Sequence, residues 1–136
     1  KLQAEIATLW PKRTSPVLIY PWQSDVAAVM KAADIFALTS DYEGYAMVLG
    51  EALAAGVPVV ATDVGCAGEL VLPDVHGLIV PTRDVEAYAN ALSRLVSDTQ
   101  LRTRYGTAGV ETMSRFAQSG DTYTKSLVAT WRSLVR

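Results

Sequence analysis

Apolar residues follow two patterns along this chain. Short continuous runs, rich in β-branched residues, recur as "PVLIY" (16–20), "IFALT" (35–39), "VPVVAT" (57–62) and "GLIVP" (77–81). Runs of that length and composition predict buried strands. Between them the apolar spacing shifts to three and four. "SDVAAVMKAAD" (24–34) puts Val26, Val29, Met30 and Ala33 on one helical face, with Ser24 as candidate N-cap. "AMVLGEALAAG" (46–56) predicts a helix stopped by Gly56 at the position just past its end. Pro58 falls at the start of the next strand, where a missing N–H does least harm. Residues 1–10 also read as helical. From Asp84 onward the pattern is wholly helical. Val85, Tyr88, Ala89, Leu92, Leu95 and Val96 recur on one face, and Asp84 can cap the start. Residues 99–116 and 121–135 continue in helical period, with no internal repeat.

Apolar strands separated by helices predict an α/β fold, with a parallel sheet covered on both faces. Such sheets bind ligands in the crevice beyond the carboxyl ends of their strands. The 136 residues suit one domain, and a hydrophobic fraction of 50% against 19% charged residues predicts a packed core. A net charge of −2, with no Lys/Arg run, gives no footprint for nucleic acid. The single cysteine, Cys66, forms no internal disulfide and suits a reducing compartment. One histidine, His76, gives no support for a His-based metal site. The longest apolar runs are far too short to span a bilayer. The chain begins inside a helical pattern and without Met, so a fragment of a larger protein is expected, and the expected location is the cytoplasm. Membrane association through a parent protein stays open.

The turn after "IFALT" contains Ser40, Asp41, Tyr42, Glu43 and Gly44, so Glu43 sits at a strand's carboxyl end. Glu51 is expected about two turns into the following helix, on the order of 10 Å away at about 1.5 Å per residue. Gly44 and Ala46 are small enough for a ligand to approach the backbone. Free N–H groups at the helix start suit a diphosphate. Neither G-x-x-x-x-G-K-S/T nor G-x-G-x-x-G is present. Carboxylates repel phosphate but accept hydrogen bonds from sugar hydroxyls. Two acids flanking an anion-binding helix end therefore suit a ligand with a sugar at each end of a diphosphate, the shape of a nucleotide-sugar.

From about Pro16 to Val96 the chain resembles the C-terminal domain of the group 1 (family 4-type) retaining glycosyltransferases of GT-B architecture. The resemblance is carried by "AADIFALTSDYEGYAMVLGEALAAGVPVVATDVGCAGELV" and "HGLIVPTRDVEAYANAL". The family's E-x7-E signature falls on Glu43 and Glu51. The resemblance implies a Rossmann-like parallel sheet with helices on both faces and a helical C-terminal tail. It implies a single, partial nucleotide-sugar-binding domain over 1–136, with the N-terminal acceptor domain lying outside this chain. It implies a hexosyltransferase, with this part alone expected to be inactive. Glu43 would contact the donor sugar near the reacting face and Glu51 the ribose hydroxyls. Backbone N–H groups of Gly44, Tyr45, Ala46, Met47 and Val48 would face the sugar and diphosphate. Tyr20, Pro21 and Trp22 would lie near the nucleobase of a UDP- or GDP-sugar, and no metal or other cofactor is expected. The acceptor would be a glycan, a lipid or a small molecule. Three departures stand out. Ala46 replaces the usual Gly or Pro and is expected to narrow the approach, Gly50 replaces a bulkier residue, and Cys66 replaces a common Gly. The family's Arg/Lys pair for the diphosphate precedes the matched region.

Other readings compete. A nucleotide-sugar epimerase or phosphorylase shares the architecture. A flavodoxin-like module would use the same crevice without pairing two acids across it. An interaction domain would leave both acids as solvated surface. Glu69, after the turn at Gly65–Gly68, is a candidate cap of a short helix and a weaker candidate for ligand contact. Cys66 reads as a small packed residue, His76 as a turn residue before Gly77, and Arg83, Arg102 and Arg104 as solvated surface. Trp131 and Tyr123 read as packing residues.

Overall fold

The computed structural model describes Ala4, Glu5, Thr8 and residues 17–116 and 120–134. The helix expected over 1–10 lies largely outside the described residues, and so do the side chains of Tyr123 and Trp131. The elements run α1 (Val26–Lys31), β1 (Phe36–Leu38), α2 (Met47–Ala54), β2 (Val59–Thr62), α3 (Ala67–Leu70), β3 (Gly77–Val80), α4 (Val85–Ser97), α5 (Thr99–Phe116) and α6 (Gly120–Leu134). The three strands form a parallel sheet in the order β1-β2-β3. Phe36 pairs with Val59 and Val59 with Gly77.

Alternation along β2 divides the core. Val59 and Ala61 join Leu49, Ala52 and Leu53 of α2 on one face, with Ala67 and Val71 from around α3. Val60 joins Leu78, Val80, Ala91, Leu95, Leu101 and Tyr105 on the other. Helices thus cover both faces, as the all-buried pattern of β2 requires. Full burial of residues such as Leu49, Leu53 and Leu95 contributes about 1.5–3 kcal/mol each.

Helix α2 is closed at its lower end by backbone contact. Gly56 follows it with φ +78°, as expected of the residue past a helix end. Gly106 of α5 presses against it so closely that a Cβ there would lie 2.1 Å from the Gly56 carbonyl oxygen. Gly109 approaches Leu53 in the same way, and a Cβ would lie 3.1 Å from that carbonyl. Beside this contact Asp74 accepts from the Tyr105 hydroxyl at 3.0 Å and from Arg94 at 2.8 Å. The Tyr105 hydrogen bond first, and then Arg94, hold the Asp74 carboxyl below its ordinary range. His76 is buried rather than a simple turn residue. Its Nδ1 lies 3.2 Å from both the Leu72 amide nitrogen and the Leu70 carbonyl oxygen, and its Nε2 is hydrogen-bonded with Thr112 Oγ1 at 2.9 Å, which ties the start of β3 to α5.

Several expectations need correcting. The run at 17–20 is not a strand; Val17, Leu18, Ile19 and Tyr20 are exposed, with no strand among the described residues beside them. A strand needs a ladder partner for its N–H and C=O groups, and apolarity alone supplies none. Asp25, not Ser24, caps α1, because its carboxylate reaches the Ala28 N–H at 2.9 Å. Only Met30 of the expected α1 face is buried, while Val26 and Val29 are exposed. Val26 and Met30 line an open groove of about 480 Å³ between α1 and α2. On α4, capped by Asp84 as expected, Val85 and Val96 are exposed and Ala91 is buried instead. Arg102 is not free surface: it donates to the Leu95 and Val96 carbonyls at 2.7 and 3.0 Å and closes the last turn of α4. Arg83, which is exposed, pairs with Asp41 at 3.2 Å, and Arg104 lies 5.3 Å over the Tyr105 ring.

Candidate functional site

The candidate site is built where β1 and β2 end. Beyond Leu38 the chain leaves the ladder, and Ser40 is held from the neighbouring strand: the buried Thr62 hydroxyl donates to the Ser40 carbonyl at 2.6 Å. The Ser40 hydroxyl in turn donates to Glu43 Oε1 at 2.6 Å. That is a short, charge-assisted bond. Glu43 is half-buried, at the carboxyl end of β1 where its sequence position predicts it. Neither hydroxyl was singled out in the sequence. The signal was a Ser or Thr just at or past the carboxyl end of each of two neighbouring strands.

From Glu43 the chain turns into α2. Gly44 is exposed, and a Cβ there would meet nothing within 4 Å, so the space beside it is open. Tyr45 is exposed, and its carbonyl accepts from the Cys66 N–H at 3.1 Å. Ala46 is the N-cap of α2 and takes a left-handed conformation, φ 60°, ψ 53°. That conformation costs an L-residue about 1–2 kcal/mol, which is why glycine is favoured at such a position. Its methyl does not narrow the approach, as the sequence suggested, since it is only 7% exposed and packs in the core. Gly65, at φ +56°, lies so close that a Cβ would come within 2.9 Å of the Tyr45 carbonyl group. The loop carrying Gly65 and Cys66 therefore braces the start of α2.

An alanine cap has no side-chain acceptor, and none bonds the first turn of α2. The Leu49 N–H bonds back to the Ala46 carbonyl at 3.0 Å. The Met47 and Val48 amides lie ahead of it in the first turn, where a helix concentrates positive partial charge. The Met47 side chain is exposed, while Val48 packs against the core and offers only its backbone. No acidic residue occupies the first turn.

Glu51 is the fifth residue of α2, since the helix begins at Met47. It therefore sits about one turn in, not two. Its side chain is exposed and lines the groove between α1 and α2 with Val26, Ala27, Met30 and Lys31. Glu43 and Glu51 thus bracket the uncapped helix start, one on the loop tied to the sheet and one on the helix. Tyr20 and Trp22 are exposed, and the Pro21 carbonyl accepts from the Gln23 amide at 3.1 Å. Among the described residues no hydrogen bond joins these three to Glu43 or Glu51.

Glu69 does not cap α3, whose first turn has no side-chain cap bond. It lines a groove of about 390 Å³ with Tyr45, Met47, Gly50 and Met113. The gap at Gly50 is modest: a Cβ would meet Leu70 Cδ2 at 3.4 Å and Met113 Cε at 3.6 Å. Cys66 is buried as expected, and burial pushes its thiol up from the ordinary range, which disfavours the thiolate. Among the described residues no group of three or more His, Cys, Asp or Glu is placed to hold a metal ion, and no helix is long and apolar enough to cross a membrane.

Known proteins resemble this chain in sequence and fold. The family described as "Glycosyl transferases group 1" matches residues 1–112. The D-inositol 3-phosphate glycosyltransferase of Saccharomonospora viridis is 39% identical over 93 residues, covering 68% of this chain and 22% of that protein. The crystal structure of Anabaena HepE in complex with UDP superposes with a TM-score of 0.84 at 27% identity, covering 97% of this chain and 36% of that one. HepE in complex with UDP-glucose gives a TM-score of 0.82 over the same shares. The chain spans well under half the length of each of these proteins. The parallel sheet flanked by helices matches the C-terminal domains of GT-B glycosyltransferases, and the chain belongs to the group 1 glycosyltransferase family.

Proposed function

We propose that this chain is the donor-binding part of a retaining glycosyltransferase that transfers a hexose-type sugar from a UDP- or GDP-sugar to a glycan, lipid or small acceptor. The observation that carries the reading is the pairing of Glu43 and Glu51 across the uncapped start of α2. In this reading Glu51 accepts from the ribose hydroxyls and Glu43 from the donor sugar. The amides from Gly44 to Val48 take the diphosphate, which suits a helix start lacking both a side-chain cap and an acidic first turn. Tyr20, Pro21 and Trp22 are the candidates for contact with the base. The complexes of HepE with UDP and UDP-glucose support the choice of ligand class.

Transfer would cleave the bond between the anomeric carbon and the diphosphate oxygen. Positive charge then develops on the sugar ring and negative charge on the leaving diphosphate. Fixed amides at the start of α2 favour the second charge, and they need no reorganisation as it grows. Glu43, in hydrogen-bonding reach of the ring hydroxyls, would orient the sugar without attacking it. No residue of this chain is assigned as base; the departing phosphate accepts the proton of the acceptor hydroxyl. The acceptor site and the cations that neutralise the diphosphate would lie in sequence outside this chain. The chain alone would then bind donor without transferring it, and no metal is required. The single thiol suits a cytoplasmic setting.

The test is a titration with UDP, GDP, ADP and matched nucleotide-sugars, on this chain and on any longer polypeptide that carries it. One nucleotide is expected to bind. Glu51→Ala should weaken it about tenfold or more, in line with loss of hydrogen bonds to a charged group. Glu43→Ala should weaken the nucleotide-sugar more than the nucleotide. Binding of flavin instead, or no nucleotide binding to the longer polypeptide, would sink the proposal.

A further inference from the structure

We infer that Ser40 is a positioning residue for Glu43, and that Thr62 anchors it to the sheet. The inference rests on the donor-site reading of Glu43. A glutamate at the end of a strand has several free torsions, and a carboxylate that must meet a particular sugar hydroxyl has to be ordered first. The Ser40 hydroxyl supplies that order through its 2.6 Å bond to Oε1. Among the described residues it is the one hydrogen bond to this carboxylate, and it leaves Oε2 for a ligand hydroxyl. Ser40 could not hold Glu43 if its own backbone wandered. The β1–β2 ladder stops at the Leu38–Ala61 pair, so no ladder bond reaches Ser40. The Thr62 side chain continues the tie beyond the last pair, with its buried hydroxyl on the Ser40 carbonyl at 2.6 Å. The direction of Glu43 is therefore set by two strands, while Glu51 is set by a helix. Loss of Ser40 should disturb the sugar end of the donor and leave the ribose end unchanged.

The experiment compares UDP and UDP-glucose affinities by calorimetry for wild type, Ser40→Ala, Ser40→Thr and Thr62→Val. Ser40→Ala is expected to weaken UDP-glucose about five- to tenfold with UDP unchanged, and Ser40→Thr to restore it. Thr62→Val should give a smaller loss of the same selectivity. A Ser40→Ala variant that weakens UDP and UDP-glucose equally, or one that Ser40→Thr does not rescue, overturns the assignment. A ligand-free measurement separates this inference from the donor reading. The order parameter of the Glu43 Cγ methylene, from NMR relaxation, should fall in Ser40→Ala and recover in Ser40→Thr. An unchanged order parameter rejects the positioning role whatever the ligands do. A lowered one in a protein whose longer polypeptide also binds no UDP, GDP, ADP or matched nucleotide-sugar rejects the donor reading and keeps the contact.

Discussion

Helix α2 has a residue of left-handed conformation at each end, and the two ends are used in opposite ways. At its start Ala46 bears the strain of φ 60° and leaves the first turn without a side-chain cap. At its finish Gly56 takes φ +78° without strain, and Gly106 of α5 is packed onto its backbone. One end faces open space beside Gly44, while the other has no room for a methyl group. Open surface and close packing are thus separated by two turns of one helix. The open end tolerates local strain, because the far end is secured by close packing.

A single methyl group tests this contrast at both ends. Gly106→Ala places a Cβ 2.1 Å from the Gly56 carbonyl oxygen, a contact only a shift of α5 can relieve. It should cost more than about 3 kcal/mol, beyond the usual range for overpacking, because the clash is with backbone. Urea denaturation measures it, and a loss under about 1 kcal/mol would mean that the closed end is not close-packed in solution. At the open end Ala46→Gly removes a methyl. It relieves about 1–2 kcal/mol of left-handed strain, but loses about 0.8 kcal/mol of burial and up to about 1 kcal/mol in unfolded-chain entropy. The sum lies within about 1 kcal/mol of zero, so the same denaturation should show little change.

The smallest expected effect is at the closed end and depends on pH. Asp74 has its carboxyl lowered by the Tyr105 hydroxyl and by Arg94. A carboxyl lowered in the folded state adds stability above its ordinary value, and that stability is lost as pH falls through the folded value. Asp74→Asn keeps an acceptor for Tyr105 and tolerates the positive φ at this position, so it removes mainly the charge. With both side chains more than half exposed, the gap from wild type at neutral pH should be under about 1 kcal/mol. It should close as pH falls below the ordinary carboxylate range and the lowered wild-type carboxyl protonates. A gap that persists or widens in acid would mean that the charge of Asp74 is not the stabilising group.

Much of the architecture was legible because it depends on local pattern. The strands around Phe36–Leu38, Val59–Thr62 and Gly77–Val80 are continuous apolar runs, and Gly56 and Asp84 are helix signals that act within a few residues. The run at 17–20 misleads for the opposite reason: strand formation depends on a neighbour, and an apolar run does not say whether one is beside it. The faces of α1 and α4 were only half right, since spacing identifies a stripe but not which edge of it meets the sheet. Val96 and Ala91 show the difference. Glu43 and Glu51 were singled out by their spacing around a strand end and a helix, and the structure places them there. The hydroxyls of Ser40 and Thr62 were not, because their link joins residues 22 apart in sequence through side-chain rotamers. The left-handed turn at Ala46 was hidden as well, since alanine ordinarily marks a helix interior.

The contact between Gly56 and Gly106 has a mechanical consequence. At this point backbone meets backbone, and no side chain stands between Gly56 and Gly106 to act as a spring. The finish of α2 is therefore held against α5 with little give. If a charged group arrives at the start of α2, the amides it meets hold their positions, and the work of turning dipoles toward it has already been done during folding.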